Sequence, residues 1–192
     1  VVDNSSKDNT VQIVKKKFPK VKIINYKDKK FFPGKAINLG IKKSKGSFIA
    51  IISGHCIPGN KKWITNLVKN FKNKNIAGVY GRQEPLDTSA PGDIRDLTYL
   101  FGLDKKIQTK DPFFHNANSM IRKNIWNKNK FDERTPHIED RLWASKILNK
   151  KYKIIYEPSA KVFHFHGVSH DHNFQRVNTI SKILKKENKK TK

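Results

Sequence analysis

The sequence predicts an α/β fold with a mostly parallel central sheet flanked by helices. Three observations carry that expectation. Short β-branched runs alternate with helical patterns through the first half, as βαβαβα. The run Phe48–Ile52 is continuously apolar and reads as a strand buried on both faces, the habit of parallel sheets. Polar clusters follow predicted strands at Asp3-Asn4, Ser53-Gly54-His55 and Gly81-Arg82-Gln83, where open α/β sheets place their ligands.

Taken in order, Val1-Val2 closes a strand and Asp3-Asn4-Ser5-Ser6 makes a polar turn. Asp8 or Asn9 caps a helix over 10–18, which Pro19 stops. Residues 21–26 form a strand through Val21, Ile23 and Ile24, and 27–30 a charged loop. Phe31-Phe32-Pro33-Gly34-Lys35 leads into a helix carrying Ala36, Ile37 and Ile41, closed by Lys45-Gly46. After Phe48–Ile52, Asn60 caps a helix through 73 with Trp63, Ile64, Leu67, Val68 and Phe71 inward. Residues 77–80 are a strand, 86–92 a loop bearing Pro and Gly, and 93–101 a helix. A helical turn at 123–127 and a helix over 138–148 follow. Residues 153–156 and 161–165 read as two strands separated by Glu157-Pro158-Ser159. The organisation is one domain over 1–181 with a lysine-rich tail over 182–192. The opening Val1-Val2-Asp3 looks like the end of a strand, so a further strand and helix are expected before it.

A chain of 192 residues with 36% hydrophobic content can bury a real core. No apolar run approaches the ~20 residues of a membrane span. The lone Cys56 excludes an internal disulfide framework. A net charge of +25 invites a nucleic-acid reading. Against it, the cations are 35 Lys and only six Arg, whereas readers of bases and phosphate forks favour Arg. With 18 Asn and 21 Ile, the lysine excess follows A/T-rich codon usage as readily as function. A basic nucleic-acid-binding module is therefore the weaker class, and the charge suits anionic lipid or polyphosphate.

Glu139-Asp140 open a predicted helix, where acids are stabilising. A carboxylate there can equally serve as a general base at the mouth of a site. His164 and His166 straddle Phe165 at strand spacing and face one side, with His170 and His172 following. Cys56 makes a zinc reading available, but no Cys-x-x-Cys or His-Glu-x-x-His accompanies it. A single His on a hard ion held mainly by phosphate oxygens fits better.

Together the segments form an ordered set: Val1-Val2-Asp3-Asn4-Ser5-Ser6, then Gly34-Lys35-Ala36-Ile37-Asn38-Leu39-Gly40-Ile41, then the strand with its polar triplet, then Asn116-Ala117-Asn118-Ser119, Glu139-Asp140 and a late His. The set resembles a family 2 glycosyltransferase of the GT-A fold over about residues 1–167. It looks closest to the bacterial, rhamnosyltransferase-like branch that builds surface polysaccharide such as capsule and lipopolysaccharide. The resemblance implies an inverting enzyme that moves a sugar from a nucleotide-sugar donor to a hydroxyl of a saccharide or lipid-linked acceptor. It implies a cytoplasmic setting at the inner face of the membrane.

Position by position, the resemblance places Asp3 at the nucleotide base and Lys35 and Asn38 by the nucleotide-sugar, with Lys35 suited to the diphosphate. Ser53 and His55 join the donor side, and Arg82 is expected there too, in the third strand-end cluster. Asn116 and Asn118 line the acceptor or sugar side, Asp140 is the general base with Glu139 its neighbour, and His164 is the late metal-site His, with His166 as substitute. Ser53-Gly54-His55 stands where the family carries Asp-x-Asp, which binds Mg²⁺ or Mn²⁺ and the diphosphate. Losing both carboxylates weakens hard-cation binding. His55 then either ligates a softer ion such as Mn²⁺ or bonds the diphosphate directly. The altered triplet also supports an alternative, a catalytically inactive glycosyltransferase-like binding domain.

Overall fold

The apolar runs of the sequence set the core. Val79, Ile121, Trp143, Ile147 and Ile154 are fully buried where one sheet meets its flanking helices. A computed structural model describes residues 1–28, 30–165 and 178–183 of the chain. His166, His170, His172 and the lysine-rich tail beyond 183 lie outside the described residues.

The first half holds β1 (Val2–Asp3), α1 (Thr10–Lys17), β2 (Ile24–Asn25), α2 (Pro33–Lys43), β3 (Phe48–Ile52), β4 (Cys56–Pro58) and α3 (Trp63–Val68). A 3-10 turn, Lys69–Lys72, follows α3. Then come β5 (Ile76–Glu84), α4 (Pro91–Leu100), β6 (Lys106–Gln108), β7 (Asn118–Arg122), α5 (Lys123–Lys128), α6 (Glu139–Asn149) and β8 (Lys153–His164). β1 and β2 pair in parallel as a small sheet of their own. The main sheet has six strands in the order β3-β7-β5-β8-β4, with β6 also beside β8.

The expected α/β class holds, with helices flanking a central sheet, and the main sheet is mixed. β5 and β8 run parallel, whereas β7 is antiparallel to both β3 and β5. β3 and β5 therefore point the same way, which brings Ser53 and Arg82 to one end of the sheet. β8 is the organising strand. One edge follows β5 along its length, while the other meets β6 near its start and β4 near its end.

Several elements differ from the sequence reading. β3 is an edge strand of the main sheet, bonded to β7 among the described residues, and Ala50 and Ile52 face outward instead of being buried. The second strand shortens to Ile24–Asn25. The helix after Asn60 stops at Val68 and kinks through a 3-10 turn at Phe71, so Ile64 and Val68 are exposed while Leu67 and Phe71 are buried. β5 runs on to Glu84 and takes Gly81-Arg82-Gln83 into the sheet. The two late strands are one. Register slips between Gly81↔Glu157 and Gln83↔Val162, so the residues around Pro158 bulge out of the ladder. Gly81 permits the close approach there: a Cβ would lie 1.9 Å from the Ala160 carbonyl oxygen.

Candidate functional site

The site is built around residues 115–118, which lead into β7. The Ser53 amide donates to the Ala117 carbonyl at 3.1 Å, tying this segment to the end of β3. On one side, the Asn116 amide donates to Asp140 Oδ2 at 3.3 Å, and its side-chain Nδ2 donates to Glu139 Oε1 at 3.2 Å. Glu139 is buried and Asp140 half-buried, at the first turn of α6. His137 enters that turn with a φ of 70°, an uncommon conformation for a non-glycine residue. Gly34 lets α2 press against the same corner, because a Cβ there would meet the Asp132 carbonyl oxygen at 1.9 Å and Glu139 Cβ at 3.2 Å.

On the other side lie three histidines and the cysteine. Register across β4 and β8 sets Cys56 opposite His164. The His55 ring stacks on His164 with centroids 4.7 Å apart and planes 13° from parallel, and His115 meets His164 edge-on at 6.2 Å. The ligand atoms of His55, Cys56 and His164 all lie within 4.8 Å of one another. His55 is exposed and the other two are buried. Burial pushes the Cys56 thiol up to about 12, against a smaller opposing effect from the Ser53 backbone, so without a cation it is a protonated, inert thiol at neutral pH.

The remaining sequence candidates divide into exposed groups and scaffold. Lys35 is exposed and pairs with Asp28 at 2.9 Å, a bond that raises its pKa. Asp3 is buried and accepts from the Ser6 amide at 3.2 Å and the Ser6 hydroxyl at 2.5 Å. Arg82 Nε lies 3.4 Å from Glu84, which also receives Lys161 at 2.8 Å.

Asn38 and Asn118 were expected to face ligand, and the structure engages both in the framework. Asn38 donates to the Phe131 carbonyl and to Glu133, both at 2.9 Å, and accepts from Trp126 Nε1 at 2.8 Å. Asn118 is fully buried, donates to the Arg82 and Ala160 carbonyls at 2.9 and 2.8 Å, and accepts from Trp63 Nε1 at 2.8 Å. Buried amides bonded at both ends hold neighbouring segments in register. Two groups gain a clearer place than the sequence gave them. His115 bridges toward His164 and carried no signal beyond standing before Asn116. Cys56 joins the histidine cluster, where the sequence offered it for zinc only weakly, without a Cys-x-x-Cys or His-Glu-x-x-His partner motif.

Three comparisons bear on this arrangement. Residues 1–129 match the family described as Glycosyl transferase family 2. The chain is 28% identical over 187 residues to the O-antigen chain rhamnosyltransferase RfbN of Salmonella typhimurium, and 26% identical to WbaN, of the same description, from Salmonella anatum. Each alignment covers 92% of this chain and 59% of the relative, so the chain spans about three fifths of their length. In fold it is similar to a mannosyltransferase, PcManGT from Pyrobaculum calidifontis, solved in complex with GDP-Man and Mn²⁺. The TM-score is 0.69 at 16% identity, covering 96% of this chain and 54% of that one.

Proposed function

The chain belongs to glycosyl transferase family 2 and has the GT-A fold, and from that premise we propose that it carries out inverting sugar transfer in bacterial surface-polysaccharide synthesis. The observation that carries the reading is the segment 115–118. It joins the Glu139-Asp140 carboxylates, through Asn116, to the His55-Cys56-His164 cluster, through His115 and Ala117. A base and a charge-stabilising group at the two sides of one short segment are what sugar transfer from a nucleoside diphosphate requires. The names of the two Salmonella relatives support rhamnosyl transfer to an O-antigen chain, and within this proposal the acceptor is a hydroxyl of a saccharide or lipid-linked saccharide.

In this reading the donor lies over the end of β3, with Asp3 toward the base and Lys35, Ser53, His55 and Arg82 toward the diphosphate and sugar. Asn116 holds Asp140 in place on the acceptor side, and Glu139 supports Asn116. Asp140 takes the proton from the acceptor hydroxyl. The freed oxygen attacks the anomeric carbon from the face opposite the leaving group, inverting it, and the nucleoside diphosphate departs. Lys35 meets the developing charge; its exposed pairing with Asp28 is weak enough to exchange for phosphate.

The side chains present also bear on a cation. The donor set is two imidazoles and a thiol without a carboxylate, which fits a divalent ion of borderline softness and suits Mg²⁺ poorly. When bound by His55 and His164, such an ion would supply positive charge facing the leaving diphosphate. No helix among the described residues is long and apolar enough to cross a membrane. The lysine excess suits work at an anionic inner membrane face.

Thermal denaturation with nucleoside diphosphates and their sugars tests the reading. A donor at 100 times its Kd adds about 2.7 kcal/mol of stability. A chain that no nucleotide stabilises is not a donor-binding domain. One that nucleotide-sugars stabilise but that transfers nothing to any acceptor is the inactive binding domain that the missing Asp-x-Asp carboxylates favour.

A further inference from the structure

At the sheet end where β4 meets β8, three side chains converge. Cys56 and His164 are directly opposed across an antiparallel pair, so their side chains share one face. His55, one residue before Cys56, turns back to stack on His164. Nδ1 or Nε2 of both rings and Sγ of the cysteine lie within 4.8 Å of one another. Around Cys56 pack Ala117, Val162 and Trp63, so the thiol sits on an apolar floor while His55 opens the cluster to solvent.

Sulfur and imidazole nitrogen are the preferred ligands of Zn²⁺ and its chemical relatives, whereas Mg²⁺ and Mn²⁺ favour carboxylate, carbonyl and water oxygen. Three protein ligands with one position open to the outside is the pattern of zinc sites that keep an exchangeable ligand. We propose that Cys56 is a metal ligand. With His55 and His164 it makes a His₂Cys centre for a borderline-soft divalent ion, Zn²⁺ or Co²⁺, whose fourth position is open to water or to a diphosphate oxygen. Only that last ligand rests on the nucleotide-sugar reading. A thiolate brings negative charge that two neutral imidazoles lack. The centre therefore holds its ion without nucleotide, where the histidines alone would need the diphosphate to balance the charge.

Titration of the purified chain with Co²⁺ alone tests this. The expected result is a near-ultraviolet thiolate-to-cobalt charge-transfer band with visible bands of four-coordinate intensity, both erased by Zn²⁺. Cys56→Ser should lose the charge-transfer band and bind Co²⁺ on the order of 10²-fold more weakly. Cys56→Ala should do the same, and His164→Ala should weaken binding with it. Far-ultraviolet circular dichroism checks that the variants fold, and the wild-type spectrum decides the question if they do not. Co²⁺ uptake by wild type without the charge-transfer band overturns the proposal, as does unchanged affinity in a folded Cys56→Ser. Adding a nucleoside diphosphate separates the two readings. A thiolate–cobalt spectrum that ignores the nucleotide supports the centre and removes the diphosphate from it. Nucleotide binding supported by Mn²⁺, with no thiolate band under any condition, leaves the glycosyltransferase reading standing and rejects Cys56 as a ligand.

Discussion

Two buried acidic corners of this molecule are built in opposite ways. At Glu157 every approach is closed. Oε1 accepts the Ser159 hydroxyl at 2.6 Å, Oε2 accepts the Asn70 amide at 3.1 Å, and Lys105 and Lys69 stand 3.3 and 3.6 Å away. Burial alone would raise this carboxyl, but the donors from Ser159, Asn70 and Lys105 win and hold it at about 2. At Asp140 the carboxylate stands in the first turn of a helix, half open to solvent, held through backbone amides of Asn116 and Arg141. The contrast shows how one chemical group serves two ends. Both carboxylates accept donors on both oxygens, but Glu157 is buried beside two ammonium groups, which makes it a structural anchor, whereas the backbone amides at Asp140 orient a half-buried carboxylate at the start of a helix.

Substitution at each corner should separate the two roles. Asp140→Asn keeps size and one acceptor oxygen for the backbone amides around it but cannot take a proton at neutral pH. We expect sugar transfer to fall by roughly 10²-fold or more while donor affinity and melting temperature stay near wild type. Near-normal turnover would remove Asp140 as the base.

Glu157→Gln should do the reverse, with a stability loss on the order of 3 kcal/mol at pH 7 and transfer per folded molecule unchanged. The sign follows from the depressed folded value. The stabilisation is complete above the ordinary carboxylate range near 4.5 and is lost as pH falls toward about 2. Urea unfolding of both proteins should therefore show a gap at pH 7 that narrows by pH 3. A gap that is constant with pH would mean the ionised form is not what stabilises.

The two asparagines of one segment sharpen the comparison further. Asn118→Ala leaves Trp63 Nε1 and two buried carbonyls without their partner and should cost about 1–3 kcal/mol in chemical denaturation. Asn116→Ala keeps the backbone bond to Asp140 and removes only the side-chain bond to Glu139, so it should lower kcat modestly, through the neighbour of the base, with little change in stability. The smallest effect belongs to Lys35→Ala. It should weaken nucleoside diphosphate binding roughly threefold to tenfold while sparing the nucleoside, and should leave unfolding unchanged. Equal losses for both ligands would take Lys35 away from the phosphates.

What could be read from the sequence tracks how local each signal is. The run Phe48–Ile52 announced β3 because five apolar residues need no partner to be recognised, but its exposure depends on which strands lie beside it. β7 went unrecognised because Asn118 and Ser119, both fully buried, look like loop residues until Trp63 and the Ala160 carbonyl surround the first of them. Pro158 split β8 in the reading, and the bulge is the structure's answer to the same proline. In the site, Glu139-Asp140 stood out as a motif. The opposition of Cys56 and His164 could not, since it exists only through pairing between residues more than a hundred positions apart. Asn38 and Asn118 show the converse, motif positions whose side chains the fold uses for itself.

The late arrival of β8 also sets a schedule. Its partners β4, β5 and β6 are all made before it, and among the described residues β4 and β6 pair with no other strand. At a synthesis rate of about 5–20 residues per second, β5 waits roughly 4–16 s for the whole of β8 to follow. During that interval the nascent sheet carries unpaired edges and an apolar face, the condition in which chaperones bind and strands pair wrongly. His164, the last residue of β8, completes the cluster with His55 and Cys56 only when that wait ends. An ion with thiolate and imidazole ligands would then act as a clasp, joining a strand made early to the last of the described strands.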